Sequence, residues 1–188
     1  YALKMDASYI PNDREWKSKW GDFPEGINWG VEAIDADEAW EYQNEMERVN
    51  VGVIDTMFDL NHEDLVFAEK PLGTEGIKAQ MSEGKRDWDN HGSHTAGTIA
   101  ASFDNKKGIA GVSPTSNLYG VSIWGIEASG YSSLQAWKIS LYYLIAVNNC
   151  KVINISMGED QLTFEASRKG EIATFVLKGY ADELGKFL

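Results

Sequence analysis

The sequence has few cysteines, a minority of basic residues and no long hydrophobic run. Its one cysteine, Cys150, has no partner within the 188 residues, so the chain forms no internal disulfide and indicates no redox compartment. The longest apolar stretch, ISLYYLIAV, is much shorter than the roughly 20 residues that a membrane-crossing helix needs. The first residues, YALKMD, do not show the basic and apolar pattern of a signal peptide.

Negative charge dominates the composition. The chain carries 17 Lys+Arg against 29 Asp+Glu, a formal net charge of -12. Such a field repels phosphate backbones, so we expect no nucleic-acid partner. At 43% hydrophobic residues, the chain can bury a sizeable core and forms one domain or a large part of one.

Helical and strand patterns alternate along most of the chain. Residues 1–30 are rich in tryptophan, proline and glycine without a clean period, and we interpret them as an irregular N-terminal arm pinned by aromatic side chains. Residues 31–188 carry the regular elements, interrupted by a polar surface excursion over 66–88. The predicted helices cover roughly 36–47, 90–102, 132–149 and 165–186, and the predicted strands cover 49–55, 117–124 and 151–158.

This alternation predicts an α/β fold with a doubly wound, mostly parallel sheet. Parallel strands need crossover helices, and strands covered on both faces have near-continuous apolar runs such as VNVGVID. The sequence stops on a predicted helix where another strand is expected. We therefore expect an incomplete domain that lacks its C-terminal strands and helices.

An aspartate and a histidine occupy the positions where such sheets bind ligands. Asp55 ends the first predicted strand, and His91 opens the helix of DNHGSHTAGTIAA. A carboxylate in contact with the imidazole would accept its Nδ1 proton and fix its tautomer, leaving the other nitrogen to take a proton from a nucleophile. The small residues of the helix, which include Gly92 and Gly97, predict a close approach to backbone or substrate.

These motifs resemble those of the subtilisin-like serine proteases. VGVIDTMFDLNHEDL and DNHGSHTAGTIAA are similar to the aspartate and histidine motifs of that family. KGIAGVSPTSNLYGVSI resembles its Gly-Val-Ala-Pro loop, KVINISMG its substrate-binding strand, and the segment from PNDREW to DEAW the start of a mature catalytic domain. The resemblance runs from about residue 11 to 158, with the motifs in the family's order.

The resemblance implies a serine-type endopeptidase that acts on protein or peptide substrates. Asp55 and His91 match the catalytic aspartate and general base, and His94 matches a structural histidine. The substrate backbone would pair with Ser156, Met157 and Gly158, and the opposite wall of the specificity pocket would be Ala128, Ser129 and Gly130. The family resemblance also implies a secreted or cell-envelope enzyme.

Two features depart from the family pattern. Met57 stands where a glycine is common, which puts the turn after Asp55 in doubt. The motifs that carry the nucleophilic serine and the oxyanion asparagine are absent from the 188 residues. We expect both to lie further downstream, so this chain alone should be inactive. The alternative is a non-catalytic member of the fold that binds peptides or acts as a scaffold.

Some of the histidines and acidic residues could instead bind a metal ion. His91 and His94 share one helix face and could bind zinc, although a His-Glu-x-x-His pattern is missing. Asp64 matches a family calcium position, and the polar loop with Asp104 and Asn105 could supply more oxygen ligands, although Lys106 and Lys107 weaken that case. We expect no cofactor to be required for catalysis, with calcium at Asp64 and Asn105 as a possible structural ion.

Blander interpretations also stay open. His91 could be a packed core residue and Asp55 a turn residue. No Gly-x-Gly-x-x-Gly follows a strand, so a dinucleotide site is unsupported. An unpaired strand edge in the shortened domain could drive self-association.

Overall fold

A computed structural model describes residues 9–16, 28–85 and 87–157. Gly158 and the predicted helix over 165–186 lie outside the described residues. In chain order the helices and strands are α1 (Trp29–Glu32), α2 (Ala36–Ala39), a 3-10 turn (Trp40–Tyr42), β1 (Asn50–Asp55), α3 (Thr74–Ser82), α4 (His91–Ala100), β2 (Asn117–Ser122), α5 (Ile123–Ala128), α6 (Ser133–Tyr142), a π-helical turn (Tyr143–Val147) and β3 (Val152–Ile155).

The three strands form one parallel sheet in the order β2-β1-β3. The central strand β1 aligns Asp55 with Ser122 of β2 and Ile54 with Ile155 of β3. The carboxyl ends of all three strands therefore meet at one edge. The prediction of an α/β fold with a mostly parallel sheet is confirmed.

Helices cover both faces of β1 because its side chains alternate between them. Ile54 is fully buried against the α5 and α6 side, where Leu144 is also fully buried. Val53 points the other way, into a second cluster with Ala96 and Ala100 of α4. This two-sided burial is the doubly wound arrangement that the apolar strand pattern predicts.

The predicted surface excursion over 66–88 is wrong in part, because it contains the helix α3. Ile77 on α3 is buried, and the helix packs closely on α5. A β-carbon added at Gly76 would lie 2.1 Å from the carbonyl oxygen of Gly125, and one added at Gly125 would lie 1.9 Å from that of Gly73. Gly73, Gly76 and Gly125 thus let the backbones of α3 and α5 come into contact.

The second strand also ends earlier than predicted. β2 stops at Ser122 rather than at Trp124, because the Ser122 hydroxyl accepts a hydrogen bond from the Gly125 amide at 3.2 Å and caps α5. The third strand is less covered than its apolar sequence predicts, since Val152 and Ile155 are 56% and 43% exposed.

The predicted helix over 36–47 forms only one α-turn and one 3-10 turn. Asp35, the residue before this turn, adopts a left-handed conformation and makes no capping hydrogen bond through its side chain. Trp40 is the anchor of this region, since it is 3% exposed and its indole donates to the carbonyl of Val112. The residues beyond Tyr42 are mainly polar and exposed, so they bring little apolar surface to extend the helix.

The predicted long helix over 132–149 forms as α6 with the π-helical turn after it. Ser132 caps it, since its hydroxyl accepts the Gln135 amide while the Gln135 side chain accepts the Ser132 amide. None of the described helices is long and apolar enough to span a bilayer.

The described part of the N-terminal arm packs on the loop after α4. Trp16 is 6% exposed, with its ring 5.7 Å from that of Trp40. The Glu15 amide donates to the Gly108 carbonyl at 2.9 Å. These contacts agree with an arm pinned by aromatics, while its division from the rest at residue 30 stays a prediction.

Candidate active site

Asp55 reaches the edge of the sheet through the alternation of β1. It lies two residues after Val53, so its side chain points to the same face, toward α4. The residue is fully buried, and its Oδ1 accepts the Thr56 amide at 2.7 Å. The carboxylate is therefore held in place before any partner side chain is considered.

His91 is the first residue of α4, and Asp89 holds it there. The Asp89 Oδ1 accepts both the His91 amide and the Thr56 hydroxyl, each at 2.8 Å. Its carboxylate thus accepts the first amide of the helix and places negative charge at the helix N-terminus, where such charge is favoured. The two bonds tie the start of α4 to the end of β1.

The turn after Asp55 buries Met57 against the backbone of Asp89. Met57 is 1% exposed, and its sulfur accepts the Asp89 amide at 3.4 Å. A β-carbon at Gly92 would lie 2.3 Å from the Met57 carbonyl oxygen, so only glycine fits there. Gly97, in contrast, makes only ordinary contact, so the predicted close approach holds at the first glycine alone.

The structure brings the two predicted catalytic side chains together. The His91 Nδ1 and Asp55 Oδ1 atoms lie 2.7 Å apart. A carboxylate only accepts, so Nδ1 carries the proton and Nε2 of the neutral ring has a lone pair. The hydrogen bond to Asp55 and the negative charge of Asp55 raise the pKa of His91. The charge of Asp89 makes a smaller contribution, and burial opposes the rise. This pair can act as an oriented general base.

A cavity of about 480 Å³ opens beside this pair, and His91 lines it. Of the predicted substrate-binding residues, Ser156 and Met157 also line it, directly after β3. Ala128, Ser129 and Gly130 lie at the end of α5 and in the following turn, and they are not among its lining residues. The polar and aromatic lining also includes four residues that the sequence analysis missed, namely Asp89, Trp124, Glu127 and Trp137.

A comparison with protein families decides the affiliation. The sequence model of the subtilase family matches residues 47–185, which include the Asp55 and His91 motifs. The chain belongs to the subtilase family. The resemblance seen in the motifs is thereby confirmed, and the protein falls among the serine peptidases.

Individual subtilases are similar along most of this chain. Subtilisin amylosacchariticus of Bacillus subtilis subsp. amylosacchariticus is 32% identical over 137 residues, which cover 73% of this chain and 34% of that protein. Subtilisin of Bacillus pumilus is 33% identical over 134 residues, or 71% and 46%. The intracellular serine protease of Paenibacillus polymyxa is 31% identical over 154 residues, or 79% and 45%. The matched region thus spans between a third and a half of these relatives.

The other histidines do not build a metal site with His91. Because Nδ1 of His91 is engaged by Asp55, only one ring nitrogen is left for a metal. His94 is exposed, although a buried structural role was expected for it. His62 accepts the Asp64 amide through Nδ1 at 3.2 Å. Among residues 9–16, 28–85 and 87–157, no group of three or more His, Cys, Asp or Glu could hold a metal ion.

The predicted calcium residues are in contact with each other and with the arm. Asp64 is 1% exposed; its Oδ1 accepts the Asn105 amide group at 2.6 Å and its Oδ2 accepts the Ile109 amide at 2.9 Å. Asn105 thus presents nitrogen, not oxygen, to Asp64. Asp13 of the arm lies close by, and its Oδ1 is buried without a hydrogen-bond partner in the described structure. This free oxygen is the feature that fits a cation, and calcium binding stays a prediction.

Proposed function

We propose that the protein from which this chain comes is a serine endopeptidase, with Asp55 and His91 as two members of its triad. The observation that carries the proposal is the 2.7 Å contact between His91 Nδ1 and Asp55 Oδ1, which lies within two motifs of the subtilase family. A buried carboxylate bonded to a half-exposed imidazole is the orienting arrangement that nucleophilic catalysis needs.

In this mechanism His91 moves the protons. A serine hydroxyl from the remainder of the protein would attack the scissile carbonyl, while His91 Nε2 takes its proton. His91 would then pass that proton to the leaving amine. Asp55 would hold the tautomer and stabilise the imidazolium, which is the form that its raised pKa favours.

The substrate would lie as an extended peptide across the carboxyl ends of the strands. Ser156 and Met157 follow β3 at this edge and line the cavity with His91, which supports pairing of a substrate backbone with the segment Ser156 to Gly158. The proposed wall opposite Ser156 to Gly158 remains the segment Ala128, Ser129 and Gly130. A substrate longer than the cavity would reach it.

The 188 residues contain His91 and Asp55 but no motif for a nucleophile or for an oxyanion asparagine. We therefore propose that the chain alone does not cleave peptides. Secretion or attachment to the cell envelope is also a proposal, and the names of the relatives include an intracellular protease.

The proposal is tested on the full-length protein encoded by the parent gene. We expect its remaining open reading frame to encode a serine in a Gly-Thr-Ser-Met-Ala-like motif, and the purified protein to cleave denatured casein. His91→Ala should lower turnover by about 10⁴-fold or more. An open reading frame without the nucleophile would instead identify a non-catalytic binding protein of the same fold. Full activity in the His91→Ala protein would overturn the role of His91 as the general base.

A further inference from the structure

The described lining of the cavity beside His91 carries negative charge. Two carboxylates, those of Asp89 and Glu127, line it, and none of the lining residues that the structure describes is a lysine or an arginine. Asp89 is adjacent to the catalytic pair, since it accepts the His91 amide and contributes to the raised pKa of His91. The cavity therefore favours a cationic group close to the reacting atoms.

Two indole rings give the same cavity an apolar and aromatic wall. Trp124 on α5 and Trp137 on α6 both line it and are both half-buried against the core that includes Ile123 and Ile126. Glu127 lies three residues after Trp124, so the two share one helix face. Indole faces attract cations and pack well against aliphatic stems.

The combination matches the chemistry of lysine and arginine side chains. Each has a long apolar stem for the indoles and a cationic head for the carboxylates. A glutamate would be repelled by Asp89 and Glu127, and an aliphatic side chain would bring no positive charge to offset theirs. The volume of about 480 Å³ holds such a side chain together with part of a peptide backbone.

We propose that the cavity lined by Asp89, Trp124, Glu127 and Trp137 binds a lysine or arginine side chain of the substrate, and that the protease prefers a basic residue near the scissile bond. This inference rests on the proposed function, because it places a peptide across the Asp55–His91 pair. The catalytic pair does not determine which side chains the substrate carries. The cavity adds that preference.

The test measures cleavage by the full-length protein of peptides that differ at one position. A fixed sequence is scanned with lysine, norleucine or glutamate at each position on either side of the bond. At one position, we expect kcat/KM for lysine to exceed that for norleucine by about tenfold, and glutamate to be poorest. The preference should shrink as ionic strength rises, because screening weakens partly exposed charge pairs.

Glu127→Gln separates this preference from catalysis. It keeps the shape and removes one charge, so kcat/KM for the lysine peptide should fall more than kcat/KM for the norleucine peptide, and the ratio of the two should drop to a few-fold. Glu45→Gln, which removes one charge from an exposed turn, is the matched control and should retain the ratio. Equal kcat/KM for lysine and norleucine at every position, or an unchanged ratio in Glu127→Gln, would overturn the inference.

Failure of the proposed function gives a different result. A protein that cleaves none of the peptides, and behaves like its His91→Ala variant, is not a protease. The cavity is then tested by binding of the same peptides, followed through tryptophan fluorescence. Tighter binding of the lysine peptide that is lost in Glu127→Gln supports the cationic site, and equal binding of the lysine and norleucine peptides refutes it.

Discussion

At the residue scale, one short contact organises the site. Asp55 is fully buried while the side chain of His91 is 48% exposed, so the acceptor is fixed and the base can meet a substrate. Asp89 fixes the backbone of His91, and Met57 fixes the backbone of Asp89. The base is thus positioned through its ring and through its main chain.

Asp55→Asn tests the ring contact. The neutral amide cannot stabilise the imidazolium by charge, and where its NH2 group faces Nδ1 it selects the wrong tautomer of His91. We therefore expect kcat of the full-length protease to fall by about 10⁴-fold. Hydrolysis of a chromogenic peptide measures the loss. Asp59→Asn, on the same loop but without contact to the imidazole, is the control and should keep most of the activity. A loss below tenfold in Asp55→Asn would show that the carboxylate does not orient the base.

The raised pKa of His91 predicts a pH dependence. Only the neutral imidazole accepts a proton, so activity should rise with pH through a midpoint above the ordinary value of about 6.5. Protonated His91 stabilises the fold, and this stabilisation is complete at pH values below the pKa of His91 in the unfolded chain. It is lost as the pH rises through the higher pKa of His91 in the folded protein. A pH profile of kcat/KM, with histidine NMR titration beside it, checks this; a midpoint at or below 6.5 contradicts it.

At the element scale, the site depends on how closely helices pack. The small residues of α4 let it lie against β1, where Gly92 contacts the backbone of Met57. α3 and α5 meet through Gly73, Gly76 and Gly125, and α5 carries Trp124 and Glu127 into the cavity. Backbone contact between helices therefore sets the shape of the substrate site.

Gly125→Ala should destabilise this packing. The new methyl would lie 1.9 Å from the Gly73 carbonyl oxygen, and that backbone must move. We expect the free energy of unfolding to fall by about 1–3 kcal/mol, measured by urea denaturation. Gly30→Ala on the exposed helix α1 is the control, because nothing lies within 4 Å of its added carbon. Equal stability of the two variants would show that α3 and α5 are not held at backbone distance.

At the scale of the whole molecule, the described sheet has one covered edge and one open edge. Phe67 and Leu72 form isolated bridges to the outer side of β2. β3 lies at the other edge, and within the described residues its only strand partner is β1. Exposed Val152 and Ile155 make β3 the surface most suited to pairing with another chain.

The 188-residue chain on its own is therefore predicted to self-associate. Light scattering after size exclusion should show dimers or larger species. Ile155→Lys places a charge on the β3 edge and should shift the chain toward monomer. Tyr131→Lys, at an exposed position of the turn after α5, is the control and should leave the association unchanged. A monomeric wild-type chain would contradict the prediction.

Calcium is predicted to stabilise the contact between the arm and the loop after α4. Asp13 has a buried oxygen without a hydrogen-bond partner among the described residues. Burial raises the pKa of Asp13, the charge of Asp64 adds to the rise, and a bound cation would offset both effects. Calcium should raise the Tm relative to EDTA, and Asp13→Asn should remove that difference, measured by differential scanning fluorimetry. Glu63→Gln, an exposed neighbour, should keep it. An identical Tm in calcium and EDTA would mean that no such ion binds.

Much of the fold and the catalytic pair could be predicted from local patterns. One apolar run that ends at Asp55 and another that passes through Ser122 predict two of the strands. The small residues after His91 predict a helix that packs closely. α3 was missed because its residues are mostly polar and only Ile77 is buried, so its apolar face is too narrow for a periodic signal. α5 was missed because the apolar β2 sequence continues into it without a break, and only the Ser122 cap marks the boundary.

The sequence by itself determined the strands, the parallel sheet and the placement of Asp55 and His91 at ends of elements, since these follow from periodicity and motif order. Only the tertiary structure decided that Met57 supports Asp89, that Asp89 ties the start of α4 to Thr56, and that Trp124, Glu127 and Trp137 share the cavity with Asp89 and His91. The segments that carry these residues are distant in sequence, and their contacts arise where packed helices bring side chains together. No local pattern encodes such a meeting, because it depends on the distances at which the helices pack.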